Sequence, residues 1–281
     1  MLKFSSADFT FPLLPHEKAL EVIALMEFRY VDIGLFEKRS HIQPSDQFDN
    51  PERKGALLAD LTAKHGLEIS DIFFQAETDF RACAINHPDK AVRTEQRELF
   101  LRGVAYARAA GCCHFSALPG VAFDTPDSHD VCKEELAWRV EHAKKLDVVY
   151  AVEPHLGSIM STPETALAML REVPGLTIAL DHSHFTYQGY NEKDVWPLVP
   201  FASHVHARGA AYKQMQTSVC ANKTDFKQVV SNLKECNYDG VICIEYTYTD
   251  WEDCNQTDNI SESILLRDQL KRFELKQNAK E

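Results

Sequence analysis

Four polar residues stand where their surroundings demand a partner: Glu153, Asp181, His206 and Glu245. Each follows or interrupts a strongly apolar run, in VVYAVE, LTIALD, SHVH and VICIE. A carboxylate at the end of such a run is partly desolvated, so it must be paired, protonated or bound to a cation. Three carboxylates aimed at one axis repel each other unless a positive centre lies between them. A divalent metal removes that repulsion and leaves positions open for a further ligand. Three oxygens and one imidazole suit Mn²⁺, Mg²⁺ or Co²⁺ at least as well as Zn²⁺. Any one of the four could serve as an ordinary ion-pair partner. Their order on four consecutive apolar runs is what points to one shared ion.

The elements that must carry these residues alternate short β-branched runs with amphipathic helices, which argues for parallel strands covered by helices. Strands are predicted at residues 3–9, 30–36, 67–74, 112–118, 148–155, 176–184, 202–209 and 241–248. Helices are predicted between them: PHEKALEVIALMEF, a segment from Pro51, TEQRELFLRGVAYARAAG with Thr94 as N-cap, EELAWRVEHAKKL, TPETALAMLREV capped by Thr162, a short helix around residues 192–199, DFKQVVSNLKEC and SESILLRDQLKRFE. Eight strand–helix units are what a closed barrel uses, and 281 residues is close to the roughly 250 typical of one. The expected fold is α/β, a single (β/α)₈ TIM barrel spanning residues 1–281. In such a barrel the working residues sit at the carboxyl ends of the strands. The loops after the second, third and fourth strands are expected to be the longest, and KQNAKE is expected to be a frayed tail. A doubly wound sheet would want a Gly-rich loop after its first strand, and SSADFTFPLLP has no glycine.

Composition narrows the function classes. Hydrophobic residues make up 44% and charged residues 26%, an ordinary globular balance. The net charge of −12 disfavours nucleic acid and anionic membrane surfaces alike. No apolar run approaches the ~18 residues of a membrane span. The N-terminus shows no signal-peptide pattern. The eight cysteines form no C-x-x-C, which fits free thiols and a cytoplasmic setting.

The succession E-P-H, L-D-H-S-H, H-V-H-A-R-G and I-E-Y resembles the xylose isomerase-like TIM barrel superfamily, the sugar phosphate isomerase/epimerase family. The resemblance runs over essentially the whole chain, including AINHPDKAVR at residues 84–93 and the D-F…N-Y-D-G stretch leading into the last strand. It implies that Glu153, Asp181, His206 and Glu245 are the ligands of one divalent ion, Mn²⁺ first, with Mg²⁺, Co²⁺ or Zn²⁺ as alternatives. The Asp181…His184 spacing is similar to the family's D-x-x-H, whose histidine touches substrate. Arg208 falls near the family's substrate-binding arginine but comes earlier after the metal histidine. His155 is two residues after Glu153, shares its face and is a further substrate contact. A homo-oligomer is expected only by analogy with related barrels.

The implied chemistry follows from the residue types. An α-hydroxy carbonyl chelates the metal, which stabilises the enediolate left by proton abstraction. Glu153 and Glu245, on opposite sides of the ion, exchange protons with the carbon: transfer between faces gives epimerisation and return to the neighbouring carbon gives isomerisation. Expulsion of a hydroxyl instead would make the protein a dehydratase or lyase of a keto-sugar or inosose. The acidic, aromatic YTYTDWEDCN favours an unphosphorylated sugar over a phosphosugar, although Arg208, Gly209 and Lys213 lie in the preceding loop.

Other residues carry weaker signals. His204 shares a face with His206 and is expected deeper, behind it. His182 should point away from Asp181, towards a helix. His114 reads as a barrel-core residue, and His87 as either pocket or loop polarity. Tyr246, Tyr248 and Trp251 are candidates for an aromatic wall. Ser158 and Ser161 lie in no nucleophile motif. An endonuclease IV-like DNA-repair hydrolase would need further metal histidines, and none lies between His206 and Glu245. A non-catalytic sugar-binding protein is the remaining alternative, because fold alone does not prove activity.

Overall fold

The computed structural model describes residues 1–278. Eight strands run parallel and close into a barrel in chain order. They are β1 Lys3–Ala7, β2 Tyr30–Phe36, β3 Glu68–Gln75, β4 His114–Ala117, β5 Val149–Val152, β6 Thr177–Asp181, β7 Ala202–Ala207 and β8 Val241–Ile244. The helices are α1 His16–Leu25, α2 Pro44–Gln47, α3 Pro51–Lys64, α4 Lys90–Ala109, α5 Ser128–Lys144, α6 Pro163–Glu172, α7 His182–Gln188, α8 Glu192–Val195, α9 Phe226–Glu235 and α10 Asn259–Asn278. This is the (β/α)₈ barrel that the alternating pattern predicts.

Local chemistry starts most helices. Asn50 caps α3 by accepting from the Arg53 N–H, with Pro51 in the first turn. Thr162 and Thr165 form a reciprocal cap on α6. Helix α4 begins earlier than predicted. Asp89, not Thr94, is its cap and accepts from the Ala91 N–H at 2.8 Å, while Thr94 turns its hydroxyl back to the Lys90 carbonyl. Likewise α5 starts at Ser128, six residues before the EELAW stripe. The longest connection follows β7, over residues 208–225, rather than β2, β3 or β4. Residues 276–278 continue α10 instead of fraying, and 279–281 lie outside the described residues.

The main core lies between the strands and the helices. Leu20 and Ile23 of α1, Phe100 and Val104 of α4, Leu136 of α5 and Val230 and Leu233 of α9 join strand residues such as Val31, Ile72, Phe115 and Val205. Each such side chain contributes roughly 1.5–3 kcal/mol of burial. The barrel's inside differs. Ser5, Asp32, Asp71, Ser116 and His204 are all fully buried and polar. Above them Ala7, Phe9, Phe36, Phe73 and Cys243 form a second, smaller apolar cluster. All eight cysteines are free thiols. Among the described residues no helix is long and apolar enough to cross a membrane.

Candidate active site

Strand register brings the four candidate residues to one level. Asp181, the last residue of β6, is paired in register with His206 of β7. Glu153 and Glu245 each follow a strand directly, and their N–H groups continue the ladder by donating to the Ala117 and Ala207 carbonyls at 3.0 Å. All four side chains are buried. Nδ1–H of His206 donates to Oε1 of Glu153 at 2.8 Å, and the same nitrogen lies 3.7 Å from Oε2 of Glu245. Donor atoms of Glu153, His206 and Glu245 all lie within 4.8 Å of one another.

The sixth strand ends sooner than its sequence suggests. LTIALDHSH leaves the sheet at Asp181, whose Oδ1 accepts from the Ser183 N–H and opens α7. His184 therefore projects from the first turn of a helix rather than from a strand. Its Nε2 lies 3.7 Å from Glu153 Oε2 and 3.6 Å from Asp181 Oδ2. Arg208, also buried, donates from Nη2 to Asp181 Oδ2 at 2.7 Å and lies 3.5 Å from Glu245 Oε2.

Electrostatics separate the two glutamates. Burial pushes the Glu245 carboxyl up to about 7, despite the opposing charges of His206 and Arg208. Burial acts on Glu153 in the same sense, but hydrogen bonds and charge from His184 and His206 hold it well below the usual carboxylate range. His206 is held well above its ordinary value: burial opposes this, and Glu245 and Glu153 outweigh it. Burial, with repulsion from His184, lowers His155 to about 4.

The residues fit a divalent ion. Glu245 Oε2 is buried without a hydrogen-bond partner, beside an imidazole nitrogen and a second carboxylate. An orphaned acceptor at such a point is unusual in a native interior. A cation among them would satisfy Glu245 and offset its repulsion from Glu153.

A cavity of about 330 Å³ opens over this cluster. Glu153, His155, Arg208 and Glu245 reach it from the C-terminal strands, and Phe9, Phe36, Phe73 and Phe80 line it from the N-terminal half. Its volume lies in the range of small-molecule sites. Trp251 stacks on His155 with ring centroids 5.3 Å apart, and both Trp251 and Tyr248 line the cavity. The turn after Trp251 holds Glu252 and Asp253 at φ of 49° and 55°, strained backbone for residues with a Cβ, and Tyr187 donates to Glu252 at 2.8 Å. Tyr246 is not part of this wall. It is buried, and its hydroxyl accepts from the Gly209 N–H at 3.1 Å.

The remaining histidines take structural places. His204 donates to Asp32 Oδ2 at 2.6 Å, beneath His206. His114 bridges Asp71 and Ser203, at 2.6 and 2.8 Å. His182 is buried with its Nε2 3.5 Å from Glu192 of α8. His87 accepts from the Asp89 N–H and packs edge-on against Phe123, outside the cavity. Lys213 is also outside the cavity, with its ammonium over the Tyr212 ring. Sequence reasoning missed the wall phenylalanines, which look like ordinary strand residues. It also missed Asp32 and Asp71, although each is a carboxylate interrupting an apolar run.

Comparison with known proteins agrees with this architecture. The family described as Xylose isomerase-like TIM barrel matches residues 20–269. A D-tagatose 3-epimerase-like protein superposes with a TM-score of 0.77 at 19% identity, covering 98% of this chain and 99% of the other. The structure of an L-ribulose 3-epimerase gives a TM-score of 0.79 at 16% identity, covering 100% and 97%. A probable 3-DHS dehydratase, AsbF, involved in petrobactin synthesis in Bacillus anthracis, gives 0.69 at 13% identity, covering 95% and 99%. At these identities the likeness is one of fold. No curated protein matches the sequence.

Proposed function

The chain belongs to the xylose isomerase-like TIM barrel family, and from that premise we propose that it is a metal-dependent isomerase or epimerase of a sugar or keto-sugar, working by proton abstraction next to a carbonyl. One observation carries the reading: two buried carboxylates, Glu153 and Glu245, flank His206 on the floor of a cavity of about 330 Å³. Ketose epimerases share this fold, and their names supply the substrate class.

The ion would be held at the cluster of Glu153, His206 and Glu245, beside Asp181, with Mn²⁺ the first choice for a carboxylate-rich set. When bound, it supplies Lewis acidity that polarises the substrate carbonyl and acidifies the neighbouring C–H. Glu153 takes the carbon-bound proton, because His184 and His206 keep it ionised. Glu245 returns a proton from the other side. His155 and Arg208, which line the cavity, position the sugar hydroxyls, with His184 packed behind His155, and Trp251 covers the ring's apolar face. The aromatic walls and the roof formed by residues 247–251 keep bulk water from the exposed carbanion.

Elimination is the second reading. Glu245, on the cavity floor, would pass a proton to a departing hydroxyl, and a dehydratase shares the fold. The test is a panel of ketoses and inososes with Mn²⁺ in D₂O. Uptake of one deuterium at the carbon next to the carbonyl, with interconversion of epimers or isomers, supports the first reading. Loss of water supports the second. No exchange with any carbonyl substrate overturns both.

A further inference from the structure

Arg208 stands two residues after His206, so both side chains turn to the same side of the chain. Its guanidinium grips the end of β6 with two donors. Nη2–H donates to Asp181 Oδ2 at 2.7 Å, and Nε–H donates to Ser183 Oγ at 3.0 Å. Ser183 donates its hydroxyl to the same Oδ2 at 2.8 Å and its backbone N–H to Oδ1 at 2.8 Å. Oδ2 of Asp181 thereby accepts two hydrogen bonds and Oδ1 one, inside a closed, buried ring. The three-residue group of Glu153, His206 and Glu245 does not include Asp181, and its Glu245 Oε2 is still without a hydrogen-bond partner.

We propose that Asp181 stays outside the ion's shell: Arg208 keeps its carboxylate, and Glu153, His206 and Glu245 alone hold the ion. The inference rests on the metal reading above. Charge balance supports it. A divalent ion is neutralised by Glu153 and Glu245, while Asp181 and Arg208 neutralise each other. Drawing Asp181 to the ion would break the buried pair and leave an uncompensated guanidinium beside a divalent cation. A shell of three protein ligands leaves more positions free for substrate oxygens. Arg208 also lines the cavity, and its Nη1 has only a 3.5 Å contact to Thr247 Oγ1. That edge is available to a substrate hydroxyl, which makes Arg208 both the keeper of Asp181 and a substrate contact.

The test is a crystal structure of the unaltered chain with Mn²⁺, located by anomalous scattering, together with Mn²⁺ titrations of the double variant D181N/R208Q and of E245Q followed by electron paramagnetic resonance. The expected structure has Glu153, His206 and Glu245 at roughly 2–2.5 Å from the ion, with Asp181 still on Arg208. The double variant removes both charges of the buried pair at once, so its dissociation constant is expected within about threefold of the parent, whereas E245Q weakens binding by at least about tenfold. An ion bound by Asp181, with Arg208 displaced, overturns this inference and leaves the metal reading standing. Equal losses in the double variant and E245Q do the same. No anomalous peak and no Mn²⁺ uptake by the unaltered chain overturns the metal reading itself, and this inference with it. The crystal experiment decides the matter even if the double variant does not fold.

Discussion

Nε2 of His204 lies 2.6 Å from Oδ2 of Asp32, in the layer of the barrel beneath His206. The other oxygen of Asp32 accepts from Ser5 at 2.7 Å and from Ser70 at 2.5 Å. His206 Nε2 is 3.9 Å from Oδ2, so one carboxylate steadies two histidines. Asp32→Asn is expected to destabilise the fold by about 3 kcal/mol, since breaking a buried pair strands its partner. It should also weaken Mn²⁺ binding about tenfold or more through His206. Urea unfolding and metal titration measure the two effects. An Asp32→Asn chain as stable as the parent would show that the network is slack.

Glu153→Gln and Glu245→Gln remove the proposed proton carriers while keeping shape. Each is expected to lower turnover by about 10²–10⁴-fold, the usual loss for a general acid or base. Glu153→Gln also breaks a buried pair with His206 and should lower the melting temperature, whereas Glu245→Gln, whose carboxylate has no hydrogen-bond partner at Oε2, should change it little. Deuterium exchange separates the roles. With Glu153→Gln, exchange into the substrate should vanish. With Glu245→Gln, exchange on the Glu153 side should survive while product formation fails.

Stability should depend on pH through His155. Its folded value is lowered to about 4 by burial and by repulsion from His184, against an ordinary value of 6.5. Between these values the unfolded chain holds a proton that the folded chain lacks. The contribution is therefore complete above about pH 6.5 and is lost as pH falls towards 4, worth about 3 kcal/mol over the window. Urea unfolding between pH 4.5 and 7.5, with chelator present, should show this slope. His155→Gln should flatten it, and an unchanged slope in that variant would assign the dependence elsewhere.

Gly209 follows Arg208 where the backbone is crowded. A Cβ there would meet the Thr217 carbonyl oxygen at 2.5 Å and the Tyr246 hydroxyl at 3.0 Å. Gly209→Ala is expected to cost about 1–3 kcal/mol. It should also loosen the Gly209 N–H to Tyr246 bond and with it the seat of Arg208. A melting curve and the KM for the best substrate check both. An unshifted melting temperature would mean that residues 209–217 yield without strain.

Much of this architecture is legible before any coordinates. Glu153, Asp181, His206 and Glu245 announce themselves because each breaks a run that would otherwise be wholly apolar. The same rule, applied to YVDIGLF and EISDIFF, would have found Asp32 and Asp71; attention to strand ends hid two carboxylates in strand middles. The end of β6 was not legible, because a period of two over LTIALDHSH cannot reveal that Asp181 caps a helix within the same run. Nor could spacing show that Arg208 spends its charge on Asp181. That pairing joins the ends of the neighbouring strands β6 and β7 and depends on side-chain reach, not on order along the chain.

Every side chain proposed to touch the ion belongs to the second half of the polypeptide, and the last of them, Glu245, follows the strand that seals against β1. A ribosome must therefore release the chain as far as Glu245 before the cation has a home. The cation cannot template early folding events. It can only lock a barrel whose staves have already met, so its removal should loosen the ends of β5, β7 and β8, which it joins, before it disturbs the first half of the barrel.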